Sequence, residues 1–244
     1  MDLRNVLRDL VHTTSGIDFP CIAISSEDRG EGQRVYMEAY TEDRNLVMRA
    51  ETKENVPEVT GRFGLSNLGL LQGLMNLKTY STESTKIGVN AKNGVVKSLA
   101  FSSDDASTTF VVQAENLIPP QPRFIPQPFD VEVTPSAAKV SELKSFSGVF
   151  KSFSALATPY TDGNTLYFQV GEKNKANHTG SLAFSVVEGA ELPPGFGFNI
   201  DRVLQALSRV PNANSATLGI TKTGMLTVTV DTGIAIYKMF VTGG

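Results

Sequence analysis

Apolar residues recur along this chain in two rhythms, and each rhythm predicts a different element. Over residues 2–14, Leu3, Val6, Leu7, Leu10 and Val11 fall at the i, i+3, i+4, i+7 spacing of one helix face. Ser15-Gly16 ends that helix. Residues 21–25 then read as a strand, followed by a polar loop over 27–33. β-Branched, aromatic and alternating residues predict strands at 35–40 and 46–50, joined by the polar TEDRN turn. Leu70, Leu71, Leu74 and Leu77 mark a second helix over 66–77, where Gly69 and Gly73 weaken the helix but permit close backbone packing. Strands follow at 86–90, 95–101 and 108–114, the first two meeting at Asn93-Gly94, a dipeptide suited to a tight hairpin.

Both rhythms stop at residues 116–128, NLIPPQPRFIPQP, which hold five of the chain's twelve prolines. Proline fixes φ and donates no amide hydrogen, so the segment is neither helix nor central strand and should run extended over the surface. It nevertheless carries Leu117, Ile118, Phe124 and Ile125. After it the order restarts, with a strand at 129–133 and a helix from Pro135 through Phe153 whose apolar stripe is Val140, Leu143, Phe146, Phe150 and Phe153. An Asp162-Gly163 turn precedes a strand at 165–170, and another strand spans 181–187. A fourth helix covers 201–210 with Asn199 as its N-cap, and strands at 218–221, 225–230 and 234–241 close the chain.

The restart is a repeat. FGLSNLGLLQGL from Phe63 answers FGFNIDRVLQAL from Phe196, 133 positions later, pairing Leu71 with Leu204, Gln72 with Gln205 and Leu74 with Leu207. IGVNAKNGVV from Ile87 answers LGITKTGML from Leu218 with one residue of slippage. The period matches duplication of a whole domain. It divides the chain into modules at 1–115 and 129–244 around a connector at 116–128, each an α+β unit with helices on one face of antiparallel sheet.

Composition narrows the picture. At 41% apolar residues and a mean hydropathy near zero, the chain has enough material for buried cores and no run approaching the roughly 20 apolar residues of a membrane span. MDLRNVLRDL lacks the apolar core of a signal peptide, and the single cysteine, Cys21, fits a reducing cytoplasm. A net charge of −3 argues against a surface coated in positive charge, but not against basic residues gathered on one face. Such gathering occurs on the predicted helices. Arg4/Arg8, Lys144/Lys151 and Arg202/Arg209 each recur on one helical face away from the apolar stripe, diluted by Asp2, Asp9, Glu142 and Asp201.

With its duplicated helix–sheet module, the second-helix pattern FGFNIDRVLQAL, the ending DTGIAIYKMFV, the proline connector and its length, the chain resembles the DNA polymerase sliding clamps. The likeness is to the tailed-bacteriophage type, and more distantly to proliferating cell nuclear antigen. The resemblance implies a ring with sheets outside and helices lining a hole, closed as a homotrimer because two modules per chain make six. It implies sequence-independent contact between duplex phosphates and Arg4, Arg8, Lys139, Lys144, Lys151, Arg202 and Arg209, with Lys78 a weaker candidate. It implies a pocket for client peptides built from Leu117, Ile118, Phe124, Ile125, Tyr237 and Phe240. Edge strands at 108–114 and 181–187 would pair across subunits, with Phe110 and Phe184 packing there. Its partners would be the replicative polymerase, an ATP-driven clamp loader and possible late-transcription factors, in the cytoplasm of a phage-infected bacterium. Neither cofactor nor membrane is implied.

No catalytic pattern competes with this reading. His12 and His178 have no Cys or His companions at metal-ligand spacing, and Walker A, G-x-G-x-x-G and G-x-S-x-G sequences are missing. The expectation is a protein that is not an enzyme. The alternative is a β-rich oligomeric component of a virus particle, which would have no need of basic residues on matching helices.

Overall fold

The computed structural model describes residues 1–28, 32–80, 82, 84–122, 127–171 and 178–244. Its elements, in chain order, are α1 (Leu3–Thr14), β1 (Ile22–Asp28), β2 (Gln33–Tyr40), β3 (Leu46–Thr52), β4 (Arg62–Leu65), α2 (Leu68–Asn76), β5 (Lys86–Lys92), β6 (Val95–Ser102), β7 (Ser107–Val111) and β8 (Gln113–Ala114). Then come β9 (Val131–Val133), α3 (Ala137–Phe150), β10 (Leu156–Asp162), β11 (Thr165–Val170), β12 (Gly180–Val186), β13 (Phe198–Asn199), α4 (Ile200–Leu207), β14 (Ser215–Ile220), β15 (Met225–Asp231) and β16 (Ala235–Thr242). The fold is α+β, and its resolved strand pairings are antiparallel.

The chain forms two compact units. The first comprises Met1–Glu42, Met48–Pro122 and Gly233–Ile236, and the second Asp43–Val47, Arg123–Thr232 and Tyr237–Gly244. In the first unit the strands run β8-β4-β1-β2-β3 in one sheet and β5-β6-β7 in another. In the second unit the orders are β16-β15-β14-β9 and β12-β11-β10-β13.

Helix ends follow side-chain chemistry. Asp2 caps α1 by accepting from the Asn5 amide at 2.8 Å, and the whole α1 stripe from Leu3 to Val11 is buried. Asn67, at φ 57°, caps α2, so this helix begins later than its leucines alone predict. Ser136 accepts from the Lys139 amide at 3.2 Å, which places Pro135 before the cap rather than inside the first turn of α3. Asn199 accepts from the amides of Asp201 and Arg202, as its position predicts.

Those caps also correct the repeat by one residue. Asn67 and Asn199 are 132 apart, and at that offset Leu71, Leu74 and Met75 match Val203, Ala206 and Leu207, all of them buried. At the 133-residue offset of the sequence identities, buried Leu71 falls on half-buried Leu204 and buried Met75 on exposed Ser208. Burial, not letter identity, carries the duplication.

Three strands escape the sequence pattern. β4 contains Gly64, a weak strand former, between buried Phe63 and Leu65. A Cβ at Gly64 would sit 2.7 Å from the Cys21 Sγ and 3.1 Å from the Gln113 Cβ, so only glycine fits between β1 and β8. Gly64→Ala should therefore destabilise the fold by about 1–3 kcal/mol, the usual range for overpacking, measured by urea unfolding. An unchanged midpoint would mean that β1 and β8 can separate freely. The same crowding buries the Cys21 thiol and raises its pKa through desolvation.

β10 contains Pro159, which normally excludes a central strand. Here the Thr161 amide donates to the Leu192 carbonyl at 2.9 Å, away from β11, and Pro159 shares that side by the two-residue alternation. Its missing N–H therefore removes nothing from the β10–β11 ladder. β13 is only two residues long and pairs with β10 at Leu156 and Ala157.

Candidate nucleic-acid interface

The helices carry the candidate DNA contacts, and their polar faces differ. On α1, Arg8 and His12 are exposed one turn apart, while Arg4 is half-buried with its Nε shielded and unbonded among the described residues. Arg8 lines a cleft of about 550 Å³ between α1 and α2, with Asn5, His12, Gln72 and Asn76 beside it. α2, LGLLQGLMN, has no charged residue at all. Lys78, just beyond it, is exposed.

In the second unit most of the candidate cations have acidic partners. Lys139 donates to the Glu142 carboxylate at 2.7 Å. The Lys151 ammonium reaches both oxygens of Asp201, at 2.9 and 3.1 Å, linking the end of α3 to the first turn of α4. Lys144 is exposed and has no ion pair among the described residues. Arg202 is the most committed: Nε and Nη2 meet one Asp43 oxygen at 3.0 and 2.9 Å, and Nη1 donates to Gln205 at 2.9 Å. Its side chain is only 12% exposed. Arg209 is half-buried where α4 gives way to a short turn. The surface thus presents Arg8, Lys144 and Lys151 most openly, with Arg202 serving chiefly as a structural tie.

The residues predicted for subunit contact need a correction. Phe110 and Phe184 are each 2% exposed and belong to the cores of their own units. On β7 the alternation turns Phe110 inward and Val111 outward, 73% exposed. On β12 a bulge opposite Leu166/Tyr167 directs Phe184 inward, where its ring meets Phe168 edge-on at 5.0 Å. Val186 then points out, 74% exposed. β7 and β12 are both terminal in their sheets, so each has one side without a strand partner among the described residues. Val149, on α3 where that helix packs against β12, is 70% exposed.

The predicted peptide pocket is also redistributed. Leu117 and Ile118 lie in the first unit, where Gln113 donates to the Leu117 carbonyl and Arg49 to that of Pro122. Leu117 is 61% exposed and Ile118 half-buried. Phe124 and Ile125 lie outside the described residues. Tyr237 is fully buried, on the β16 face shared with Ala235, Met239 and Val241. Residues three apart on a strand face opposite ways, so Tyr237 and Phe240 cannot line one surface. Phe240 keeps partial exposure and Tyr237 offers none.

Solved structures of known proteins share this architecture along the whole chain. PCNA from Thermococcus kodakaraensis matches with a TM-score of 0.69 and 10% identity, covering 100% of this chain and 98% of that one. PCNA of A. fulgidus, solved with the C-terminal region of FEN-1 bound, matches at 0.67 and 8%, covering 99% and 96%. The proliferating cellular nuclear antigen of Entamoeba histolytica matches at 0.66 and 11%, covering 99% and 96%. The fold is that of the sliding clamps. The sequence itself matches no protein-family model and no curated protein. At these identities what is shared is the fold. The Lys151–Asp201 and Arg202–Asp43 pairs join residues 50 and 159 apart, and no local pattern in the sequence announces them.

Proposed function

We propose that this protein is a processivity factor, a homotrimeric sliding clamp that encircles duplex DNA and tethers a replicative DNA polymerase. The observation that carries the reading is a clamp fold with, in each unit, a terminal strand that exposes a valine. Each edge presents an outward valine, Val111 on β7 and Val186 on β12. Exposed apolar residues on unpaired strands are a liability in a monomer and an asset where a second strand covers them. Because the two edges lie in different units, joining one to the other is head-to-tail, and such contacts build rings when the rotation closes. Six modules from three chains give the ring expected from the clamp resemblance.

DNA contact in this reading comes from Arg8, Lys144 and Lys151, with smaller contributions from Arg4, Lys139, Arg202 and Arg209. Cations that meet only phosphates carry no base readout, so the contact is sequence-independent and salt-sensitive, as sliding requires. The client surface in this reading takes its apolar wall from Leu117 and Ile118, for peptides from the polymerase and an ATP-driven loader. The phage type, a role in late transcription and residence in the cytoplasm of an infected bacterium belong to the same proposal and rest on the sequence resemblance.

Light scattering tests the ring. The expected mass in solution is about three times the 26.3 kDa chain. A stable monomer or dimer at micromolar concentration would refute the trimeric clamp.

A further inference from the structure

Two of the candidate lysines of the second unit are held by acids, one from the same helix and one from its neighbour. Lys139 is bound by Glu142 within α3, and Lys151 by both oxygens of Asp201 across from α4. The pairs are open to solvent, at 38% and 49% exposure for the first and 64% and 53% for the second. Exposed pairs of this kind add little to stability, so packing gives no account of two of them on the surface that would meet DNA. Their effect on an approaching phosphate is direct. Either lysine must leave a carboxylate to meet the phosphate, and the abandoned carboxylate then repels it at short range.

From this we infer that Asp201 and Glu142 are built-in competitors for the DNA backbone, holding the affinity of the helix face below what its lysines alone would give. The inference rests on the DNA-encircling reading above and adds its regulation: these acids favour rapid exchange of phosphates over residence. Lys144, which has no such partner among the described residues, sets the contrast on the same helix. Asp201 also sits in the first turn of α4, where negative charge suits the helix end. Glu142 is in mid-helix and has no such second role, so the two variants separate the explanations.

The experiment is direct binding of the full-length protein to a blunt duplex of random sequence, followed by fluorescence anisotropy across a salt series. Asp201→Asn and Glu142→Gln should each bind about three- to tenfold tighter, with the slope of log K against log salt steeper by about 0.9 for each phosphate newly engaged. Glu132→Gln, which removes an exposed charge from β9, is the control for net charge. Unchanged affinity and slope in both variants, while the parent binds in a salt-dependent way, would overturn the inference and leave the clamp reading standing. Equal tightening by Glu132→Gln would overturn it too, since net charge would then explain the gain. A parent protein that does not bind duplex even at low salt would remove the DNA reading and the inference together. Should Asp201→Asn fail to fold, Glu142→Gln carries the test alone.

Discussion

Val186→Asp, alone or with Val111→Asp, should turn a trimer into monomers. The side chain at 186 is 74% exposed and that at 111 is 73% exposed, so neither substitution disturbs a core. Each places a carboxylate where an apolar side chain would be covered by a neighbouring strand, and burying an unpaired charge is far more costly than leaving it in water. The single variant places one such charge at each of the three interfaces of the proposed ring and the double variant two, at contacts of ordinary size. The measurement is light scattering with far-ultraviolet circular dichroism: the mass should fall to that of one chain while the spectrum is unchanged. Phe184→Asp is the informative contrast. Phe184 is 2% exposed and packs on Phe168, so that variant should lose the spectrum as well. A trimer that survives both valine substitutions would exclude these edges as the contact.

Reversal of the open cations has the second large effect. Arg8→Glu, Lys144→Glu and Lys151→Glu combined should weaken duplex binding at low salt by at least about a hundredfold and remove most of its salt dependence, since each lost phosphate contact lowers the slope by about 0.9. The trimer mass should not change. Arg202→Glu should behave differently. Its guanidinium is held by Asp43 and Gln205 with little exposure, so reversal leaves two carboxylates together and should lower the melting temperature. If the triple variant binds duplex as the parent does, the helix face is not the DNA contact.

The fold class was legible because α1 and most strands bury what their periodicity says they bury. On α2 only Leu71 and Leu74 of the four expected leucines are buried, and Leu70 and Leu77 are exposed. The α1 stripe is buried throughout, and the Asn93-Gly94 turn has both residues at positive φ, at 53° and 75°. Legibility failed where a local rule was overruled by tertiary contact. Gly64 is in a strand because Cys21 and Gln113 leave no room for a side chain, and neither neighbour is near it in sequence. The α3 stripe extends less far than its spacing predicts: the helix ends at Phe150, and Phe153 beyond it is half exposed. At the site, residue types were readable but directions were not. Phe110 and Phe184 were chosen as large apolar residues on edge strands, yet strand parity and a bulge turn the valines outward instead. Arg202 and Lys151 look alike in a sequence. Each folds beside a carboxylate, and only the burial of the Arg202 side chain and the exposure of the Lys151 pair distinguish a tie from a cation open to solvent.

Pro159 has a wider consequence. On its side of β10, the Leu192 carbonyl takes the Thr161 amide, the Thr161 hydroxyl takes the Leu192 amide at 2.8 Å, and β13 is closed by a bridge between Phe198 and Gly243. That flank cannot template a foreign strand, because it has an amide missing at Pro159 and its neighbours already engaged. The sheet is therefore one-ended for growth. In the proposed ring an incoming chain would meet a receptive backbone of this sheet at β12 and not at the β13 flank, which would steer encounters away from runaway stacking and towards a closed assembly of fixed size.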